Sequence, residues 1–393
     1  MTPPARVQAA IELLDQVIEA ARGGGAAADT LITRYFKDRR YAGAKDRRAV
    51  RELVYRTIRR AGEVPTSGRA AMLGLAAEDE EVAACFDGSA HGPEPIAGEE
   101  TPAPASVLPG WIAPLLDPLV AENEWPALLG RAPLDLRVNR LRGSREDALV
   151  GLPEATPTPH APLGLRLPEG FQVETTGAWR SGLVEVQDEG SQLLAGACAA
   201  APGENALDLC AGAGGKTLAL AADMTNSGNL IASDTDRGRL SRMPPRLARA
   251  GITIVEPRLL DPGRERQTLA DLDGAADLVL VDAPCSGSGT WRRNPETRWR
   301  LTPARLDQLV DLQGRLLDLA TPLLKPGGRL VYAVCSLIAR EGREQAAAFT
   351  ARSGLLPQPV GIDAGRDAGT GRLLSPAADG TDGFFVACWA RPC

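Results

Sequence analysis

The sequence predicts an α/β protein in which a doubly wound parallel sheet follows a small α+β subdomain and an all-helical N-terminal domain. Short apolar runs alternate with helical patterns over 187–393, and such alternation is typical of a parallel sheet covered by helices. Residues 109–186 mix one clear strand pattern, Leu134–Val138, with helices and turns. Residues 1–62 show only the spacing of amphipathic helices.

Helices account for the N-terminal domain. Apolar residues recur with helical spacing in three stretches, at 5–21, 28–37 and 46–60. The third stretch leaves most of its arginines on one face, which is either a solvated surface or a set of contacts to RNA phosphates. We predict an RNA-binding domain over 1–62 that could extend to about residue 86, followed by an acidic Pro/Gly/Ala-rich linker over 63–108.

The composition excludes several classes of protein. The 44 Lys and Arg against 50 Asp and Glu give a net charge of −6, which excludes a uniformly basic nucleic-acid binder but allows a local basic face. No apolar run is long enough to span a bilayer and the N-terminus does not suit a signal peptide, so we expect a cytoplasmic protein without membrane contact. With seven Cys, no CxxC pair and two His, we expect neither a metal site nor a disulfide framework.

A glycine-rich turn carries the first chemical motif. Leu207–Thr217 has the pattern of a strand, a turn with three glycines and the start of a helix. It is not a P-loop, because Cys210 stands where that loop needs glycine, and it is not a dinucleotide fingerprint. The next strand ends at Asp234, and an acid at this place commonly accepts hydrogen bonds from ribose hydroxyls. The pattern favours an adenosyl ligand without pyrophosphate, for which S-adenosylmethionine is the natural candidate; the alternative is a tight turn that binds nothing.

Two further motifs each place a cysteine at the end of a predicted strand. Asp282–Ser286 follows one apolar run, and Val331–Ser336 ends another. Because the carboxyl ends of neighbouring parallel strands meet at one edge of a sheet, we expect Cys285 and Cys335 to lie close together. A thiolate that adds to C6 of cytosine makes C5 reactive towards a methyl donor, so two thiols beside a methyl-donor site suit cytosine methylation. Either cysteine alone would be interpreted as a small buried hydrophobe.

The segment Trp291–Trp299 interleaves aromatic and arginine residues directly after the second motif. Such a segment suits stacking on bases and pairing with phosphates. Packing of the two tryptophans in the protein interior explains the pattern equally well, and the sequence leaves both interpretations open.

Together, the three motifs resemble those of the NOL1/NOP2/Sun family of RNA cytosine-C5 methyltransferases. The combination is specific, because this family carries two motif cysteines where DNA cytosine methyltransferases are usually built around one. The resemblance continues in three flanking segments, at Arg137–Asn139, Val186–Ser191 and Asp382–Phe385.

The N-terminal region adds to the resemblance. Asp46–Arg48 and Glu52–Tyr55 are similar to the NusB-like domain of the bacterial subfamily that acts on small-subunit ribosomal RNA. The resemblance therefore implies a NusB-like domain at 1–62, a small α+β pre-catalytic subdomain at 109–186 and a Rossmann-like class I methyltransferase domain at 187–393.

The resemblance also implies roles for individual residues. Cys335 matches the family's nucleophile, and Cys285 matches the cysteine needed for product release. Asp282 is expected to hydrogen-bond the cytosine near N3 and to border the cofactor, with Lys216 near the catalytic centre. The residues expected to hold S-adenosylmethionine are Cys210, Ala211, Gly212, Ala213, Gly214, Gly215, Lys216, Asp234, Asp261 and Asp282.

Within this set, the resemblance places Asp234 at the ribose and Asp261 near the adenine. The chain departs from the family's usual pattern at three positions. Ala213 stands in place of the usual Pro in the glycine-rich turn, Val334 in place of the Thr before the nucleophile, and Asn294 in place of the commonest His. None of these departures removes a catalytic group.

The function implied is S-adenosylmethionine-dependent methylation of a cytosine in small-subunit (16S) ribosomal RNA by a monomer, with the base flipped out of its helix or loop. Transfer RNA as the substrate is one alternative, and a catalytically idle RNA-binding ribosome-assembly factor is another. A methyltransferase acting on protein or on adenine N6 ranks lower, because Asp282–Cys285 reads Asp-Ala-Pro-Cys where such enzymes usually carry Asn/Asp-Pro-Pro-Tyr/Phe.

Overall fold

The computed structural model describes residues 1–393. Its α-helices, in chain order, are α1 Pro3–Gly23, α2 Ala28–Lys37, α3 Ala44–Arg60, α4 Gly68–Ala76, α5 Glu80–Ala83, α6 Arg145–Gly151, α7 Gly177–Arg180, α8 Glu189–Ala197, α9 Gly215–Asp223, α10 Arg237–Leu240, α11 Met243–Ala250, α12 Glu265–Thr268, α13 Thr297–Arg300, α14 Pro303–Ala320, α15 Arg343–Ser353 and α16 Pro376–Asp379. Its strands are β1 Leu134–Val138, β2 Thr156–Pro157, β3 Gly164–Leu167, β4 Val184–Val186, β5 Asn205–Asp208, β6 Asn229–Asp234, β7 Val255–Leu259, β8 Ala276–Asp282, β9 Leu324–Val334, β10 Leu356–Gln358, β11 Arg366–Ala368, β12 Gly371–Leu374 and β13 Phe384–Ala390. None of the helices is both long enough and apolar enough to cross a membrane.

The chain forms two compact units. The first unit comprises Met1–Leu116, Trp125–Gly130 and Thr290–Pro303, and the second comprises the remaining residues. Helices α1 to α5 and α13 form the first unit around one hydrophobic core. The long helix α1 begins where the Thr2 hydroxyl accepts a hydrogen bond from the Ala5 amide and ends at Gly24, whose φ of 72° suits glycine.

Residues 63–108 include the stretch to about residue 86 over which the sequence left open an extension of the helical domain. This segment contains α4 and α5, and Met72 and Phe86 are buried in the same core as α1. Small residues here allow close packing: a Cβ on Gly68 would lie 2.2 Å from the carbonyl oxygen of Ile11. The Gly68 amide also donates a hydrogen bond to Asp15. Composition alone does not distinguish a linker from helices here, because Gly and Ala are frequent both in loops and in close helix contacts.

Arg298 closes the carboxyl end of α3 within the first unit. Its guanidinium donates to the carbonyl oxygens of Ile58, Arg59 and Ala61, at 2.5, 3.0 and 2.8 Å, and also to that of Val107. These carbonyls at the helix end have no partner within the helix, and a cation there also interacts favourably with the helix dipole. Burial lowers the pKa of Arg298 to about 9, so the guanidinium stays charged at neutral pH.

The two tryptophans of the arginine-rich segment are structural. Trp299 is buried in the core of the first unit, and its indole Nε1 donates to the Ala61 carbonyl oxygen at 2.8 Å. Trp291 is also fully buried. Packing therefore explains both aromatic residues, and neither is exposed for stacking on a base.

The second unit contains two sheets. A small antiparallel sheet has the order β2-β3-β1-β4, and its core also includes Ala148 from α6. The large sheet has the order β11-β12-β13-β9-β8-β5-β6-β7, with β10 beside β13. Strands β7, β6, β5, β8 and β9 are parallel, whereas β13 runs antiparallel to β9. The predicted fold class, an α/β methyltransferase-type sheet with a small antiparallel sheet and an N-terminal helical region, is confirmed.

The order of the parallel strands creates a crevice at their carboxyl ends. The chain runs from β5 outward through β6 to β7, and then returns to β8 on the other side of β5. Loops after β5 and β8 therefore leave the sheet in opposite directions, and ligands of open α/β sheets bind where this reversal occurs. Asp208 ends β5 and Asp282 ends β8, so both acids lie at this reversal point.

We expect Arg298→Ala to lower the free energy of unfolding by about 3 kcal/mol, because several buried carbonyls lose their donor. Arg40→Ala, at an exposed position of the same unit, should change it by less than about 0.5 kcal/mol. Urea unfolding followed by circular dichroism measures both values. An unchanged unfolding midpoint in Arg298→Ala would contradict the role given to this side chain.

Candidate active site

The glycine-rich turn between β5 and α9 is closely built. Gly212 and Gly214 have φ angles of 55° and 84°, in the left-handed region that favours glycine. A Cβ on Gly214 would also lie 2.7 Å from the side chain of Met243. From α11, Arg246 donates a hydrogen bond to the Ala213 carbonyl oxygen at 2.6 Å. These contacts fix the backbone of the turn at the carboxyl end of the sheet.

Asp234 lies directly against this turn. Its Oδ2 accepts a hydrogen bond from the Gly212 amide at 2.8 Å, and its Oδ1 accepts one from the Asp236 amide at 2.7 Å. Asp261 follows β7 on the next loop and its side chain is exposed. The neighbouring Leu260 amide donates to the Asp234 carbonyl oxygen at 2.9 Å, so the two loops are adjacent.

Lys216 and Asp282 form an ion pair across the reversal point. The Lys216 Nζ lies 2.7 Å from Asp282 Oδ2, and the lysine side chain is 10% exposed. Burial lowers the pKa of Lys216, but the charge of Asp282 and its hydrogen bond outweigh this effect, so the net pKa is raised. Cys335 also contributes to the increase. Lys216 is therefore a fixed positive charge beside the second and third motifs.

Asp208 is a site residue that the sequence analysis missed. It is buried, and burial raises its pKa to about 7. Thr217 donates a hydrogen bond to its Oδ2 at 2.7 Å, whereas the buried Oδ1 has no partner. An acid inside the apolar run before Cys210 was the available signal, because buried carboxylates are rare without a partner.

The two motif cysteines are brought together. Strands β8 and β9 pair in parallel with Asp282 opposite Ala333, and the Sγ atoms of Cys285 and Cys335 lie 3.3 Å apart. The hydrogen bond to Cys335 and, secondly, burial raise the pKa of Cys285 well above that of an ordinary thiol. Cys285 therefore keeps its proton at neutral pH and can donate it to the Cys335 sulfur.

A buried carboxylate binds the residues that follow the two cysteines. Glu341 is fully buried and accepts four hydrogen bonds: from the Ser286 amide at 2.8 Å, the Ser286 hydroxyl at 2.5 Å, the Ser336 hydroxyl at 2.6 Å and Gln313 Nε2 at 3.0 Å. We call these four residues the Glu341 cluster. The sequence analysis missed it, since Glu341 stands in the polar stretch Arg340–Glu344 with no pattern that indicates burial.

Comparison with known proteins identifies the family. Residues 196–390 match the model of the family described as 16S rRNA methyltransferase RsmB/F. Ribosomal RNA small subunit methyltransferase B of Salmonella newport (strain SL254) is 34% identical over 287 residues, which cover 71% of this chain and 65% of that protein. The chain belongs to the RsmB/F family. It spans 65% of the length of the curated relatives of the RsmB/F family that it matches.

Solved structures agree with the RsmB/F fold. The crystal structure of PH0851 superposes with a TM-score of 0.77 over 99% of each chain at 26% identity. A methyltransferase homolog protein from Pyrococcus horikoshii covers 70% of this chain and 92% of its own, with a TM-score of 0.62 at 29% identity. The architecture described above is therefore shared with proteins of known structure.

The RsmB/F family uses S-adenosylmethionine, and the residues at the reversal point fit that cofactor. The turn carries no side chain at its two buried glycines, Asp234 holds a carboxylate beside it, and Asp208 offers a buried oxygen without a partner. The family's missing proline does not open the turn, since the Gly214 amide still donates to the Ala211 carbonyl oxygen at 2.9 Å. The Ala213 departure is therefore compatible with cofactor binding.

We expect Asp234→Ala to weaken binding of S-adenosylmethionine about tenfold to a hundredfold, because a charged acceptor beside the turn is lost. Asp363→Ala, at an exposed position of the same unit, is the matched control and should bind normally. Isothermal titration calorimetry gives both dissociation constants. Equal affinity in Asp234→Ala and the unmodified protein would remove Asp234 from the cofactor site.

Proposed function

We propose that this chain methylates C5 of a cytosine in small-subunit ribosomal RNA, with S-adenosylmethionine as methyl donor and a covalent bond between Cys335 and C6 of the base. One observation carries the proposal. The Sγ atoms of Cys285 and Cys335 lie 3.3 Å apart at the carboxyl ends of paired strands, in the same unit as the Lys216–Asp282 ion pair and the glycine-rich turn. A pair of thiols beside an adenosyl-type site suits cytosine methylation better than any of the alternatives.

The first step is addition of a thiolate to the base. The Cys335 sulfur forms a bond to C6, and the electrons of the C5–C6 double bond move towards C5 and the N3 side of the ring. The Asp282 carboxylate, which accepts a hydrogen bond from Lys216, is an acceptor, so we expect it to accept a hydrogen bond from the amino group beside N3 of the base. Lys216 keeps a positive charge next to that carboxyl group and close to the sulfur. S-adenosylmethionine, when bound, would supply the methyl group that C5 accepts, and would leave as S-adenosylhomocysteine with the electron pair of the broken carbon–sulfur bond.

The second step regenerates the aromatic base. The proton on C5 leaves to solvent water, the C5–C6 double bond forms again, and the bond between C6 and the Cys335 sulfur breaks, which returns the electron pair to sulfur. Cys285 lies within hydrogen-bond distance of that sulfur. Its raised pKa means that it can hold a proton for the departing thiolate. We assign the release step to Cys285 on this basis.

The choice of ribosomal RNA rests on the family and on the first unit. The curated relatives are named as small-subunit ribosomal RNA methyltransferases. Eight basic side chains are exposed on or beside α2 and α3 of the first unit: Arg34, Lys37, Arg40, Lys45, Arg47, Arg48, Arg51 and Arg56. Such a surface suits phosphate contacts with salt-dependent affinity. We therefore assign RNA binding to residues 1–62.

We expect Cys335→Ala to abolish methyl transfer, with a loss of about 10³-fold or more, because the sulfur proposed to form the bond to C6 is removed. Binding of S-adenosylmethionine should be unchanged. Incorporation of labelled methyl groups into 16S ribosomal RNA measures the first value and calorimetry the second. Substantial activity in Cys335→Ala would contradict the covalent step.

We expect Cys285→Ala to accumulate a covalent protein–RNA adduct, because methylation proceeds while release is blocked. Denaturing gel electrophoresis with labelled RNA detects the adduct. Cys393→Ala, which removes an exposed cysteine, should turn over normally. Normal turnover of Cys285→Ala without an adduct would show that the release role is wrong.

The target is tested in cells. Bisulfite sequencing of RNA from cells with and without the gene should show one or more cytosines of 16S ribosomal RNA that lose protection. Loss of protection in transfer RNA alone would overturn the ribosomal assignment and leave the chemistry intact.

A further inference from the structure

The Glu341 cluster connects the two loops that carry the thiols. Ser286 follows Cys285 in the chain, and Ser336 follows Cys335. Glu341 Oε2 accepts hydrogen bonds from both serine hydroxyls, and these hydroxyl oxygens lie 3.1 Å from each other. One carboxylate oxygen therefore joins the loop after β8 to the loop after β9.

The cluster also binds the main chain on both sides of Cys285. The Ser286 amide donates to Glu341 Oε1 at 2.8 Å. Gln313, a buried residue of α14, donates from one Nε2 to Glu341 Oε1 at 3.0 Å and to the Pro284 carbonyl oxygen at 3.0 Å. The residues immediately before and after Cys285 are thus both attached to the cluster.

The chemistry of the cluster requires a carboxylate. Four donors converge on two oxygens, and an ionised carboxyl group is acceptor-only with room for four such bonds. A glutamine of the same shape would turn an amide N–H₂ group towards two of these donors. A hydrophobic side chain could fill the same space at a lower cost in folding free energy, because only good hydrogen bonds offset the free energy of burying a charge. Packing alone therefore does not account for Glu341.

We propose that Glu341 is a positioning residue that fixes the separation of the two reactive thiols by binding the residue after each of them. It acts on the Cys285–Cys335 pair through the loops and does not touch the substrate. The consequence for methyl transfer rests on the proposed function, whereas the consequence for thiol separation does not. Loss of the carboxylate should let the loops move apart, and a displacement of about 1 Å can cost two orders of magnitude in a positioned reaction.

The test is a Glu341→Gln variant with Glu344→Gln as the matched control. Glu344 is exposed three residues later, so the same chemical change occurs without loss of the cluster. Ser286→Ala is a milder variant, because it removes the hydroxyl and keeps the amide that bonds Glu341 Oε1. Circular dichroism establishes that each variant is folded. If Glu341→Gln does not fold, Ser286→Ala carries the test.

The first measurement needs no RNA. Diamide accepts two electrons and two protons as the Cys285 and Cys335 thiols join in a disulfide, and peptide mass spectrometry gives the rate. We divide this rate by the rate at which iodoacetamide alkylates the same thiols. Both rates depend on thiol ionisation, so a change in ionisation cancels in the ratio. We expect the ratio to fall about tenfold in Glu341→Gln and about threefold in Ser286→Ala, with no change in Glu344→Gln.

The second measurement uses the methyl-transfer reaction. In Glu341→Gln, kcat should fall and the covalent RNA adduct should accumulate, while KM for RNA and the affinity for S-adenosylmethionine stay as in the unmodified protein. A folded Glu341→Gln with an unchanged disulfide ratio overturns the proposal, and so does an unchanged ratio in Ser286→Ala when Glu341→Gln fails to fold. If the unmodified protein methylates no RNA, the proposed function fails, and the disulfide ratio still decides the role of Glu341.

Discussion

The parallel pairing of β8 with β9 is the constraint on which the candidate site depends. It places Asp282 opposite Ala333, so the loops that follow the two strands start side by side. Cys285 and Cys335 are fifty positions apart in the chain, yet their sulfur atoms lie 3.3 Å from each other, because both cysteines stand in the first few residues after paired strand ends. A register shift of even one or two residues would separate the sulfurs by several ångströms, since a strand advances about 3.3 Å per residue.

Three acids and one lysine lie at the reversal point. Asp208, Asp234 and Asp282 end three neighbouring strands, and Lys216 is the cation that pairs with one of them. Asp234 is held by main-chain amides and Asp282 by Lys216, whereas one oxygen of Asp208 has no partner. Burial is the main cause of the raised pKa of Asp208. The nearby charges of Asp282 and Asp234 raise this pKa further, because like charges repel each other.

The sequence predicted those parts of the site that follow strands. Cys285, Cys335, Asp282 and Asp234 could be placed because the carboxyl ends of parallel strands share one edge, so a residue directly after a strand has a known location. Glu341 could not, because it lies in a polar loop whose burial is decided by partners far away in the chain. The sequence left the end of the helical domain open between residues 62 and 86 for a different reason: alanine and glycine allow two helices to approach closely, and the same residues are frequent in linkers. Composition cannot separate these two uses.

The first unit has an unusual order of assembly. Its core includes Trp299, and Arg298 beside it closes the end of α3, although both residues follow β8 of the other unit in the chain. During synthesis, α1 to α5 are translated first. Arg298 and Trp299, which complete the end of α3 and the core of these helices, are translated only with the segment Thr290–Pro303. The first unit therefore cannot complete its core until most of the chain has been translated. A fragment of residues 1–116 alone would lack the Trp299 indole, and its core would contain a cavity at that place.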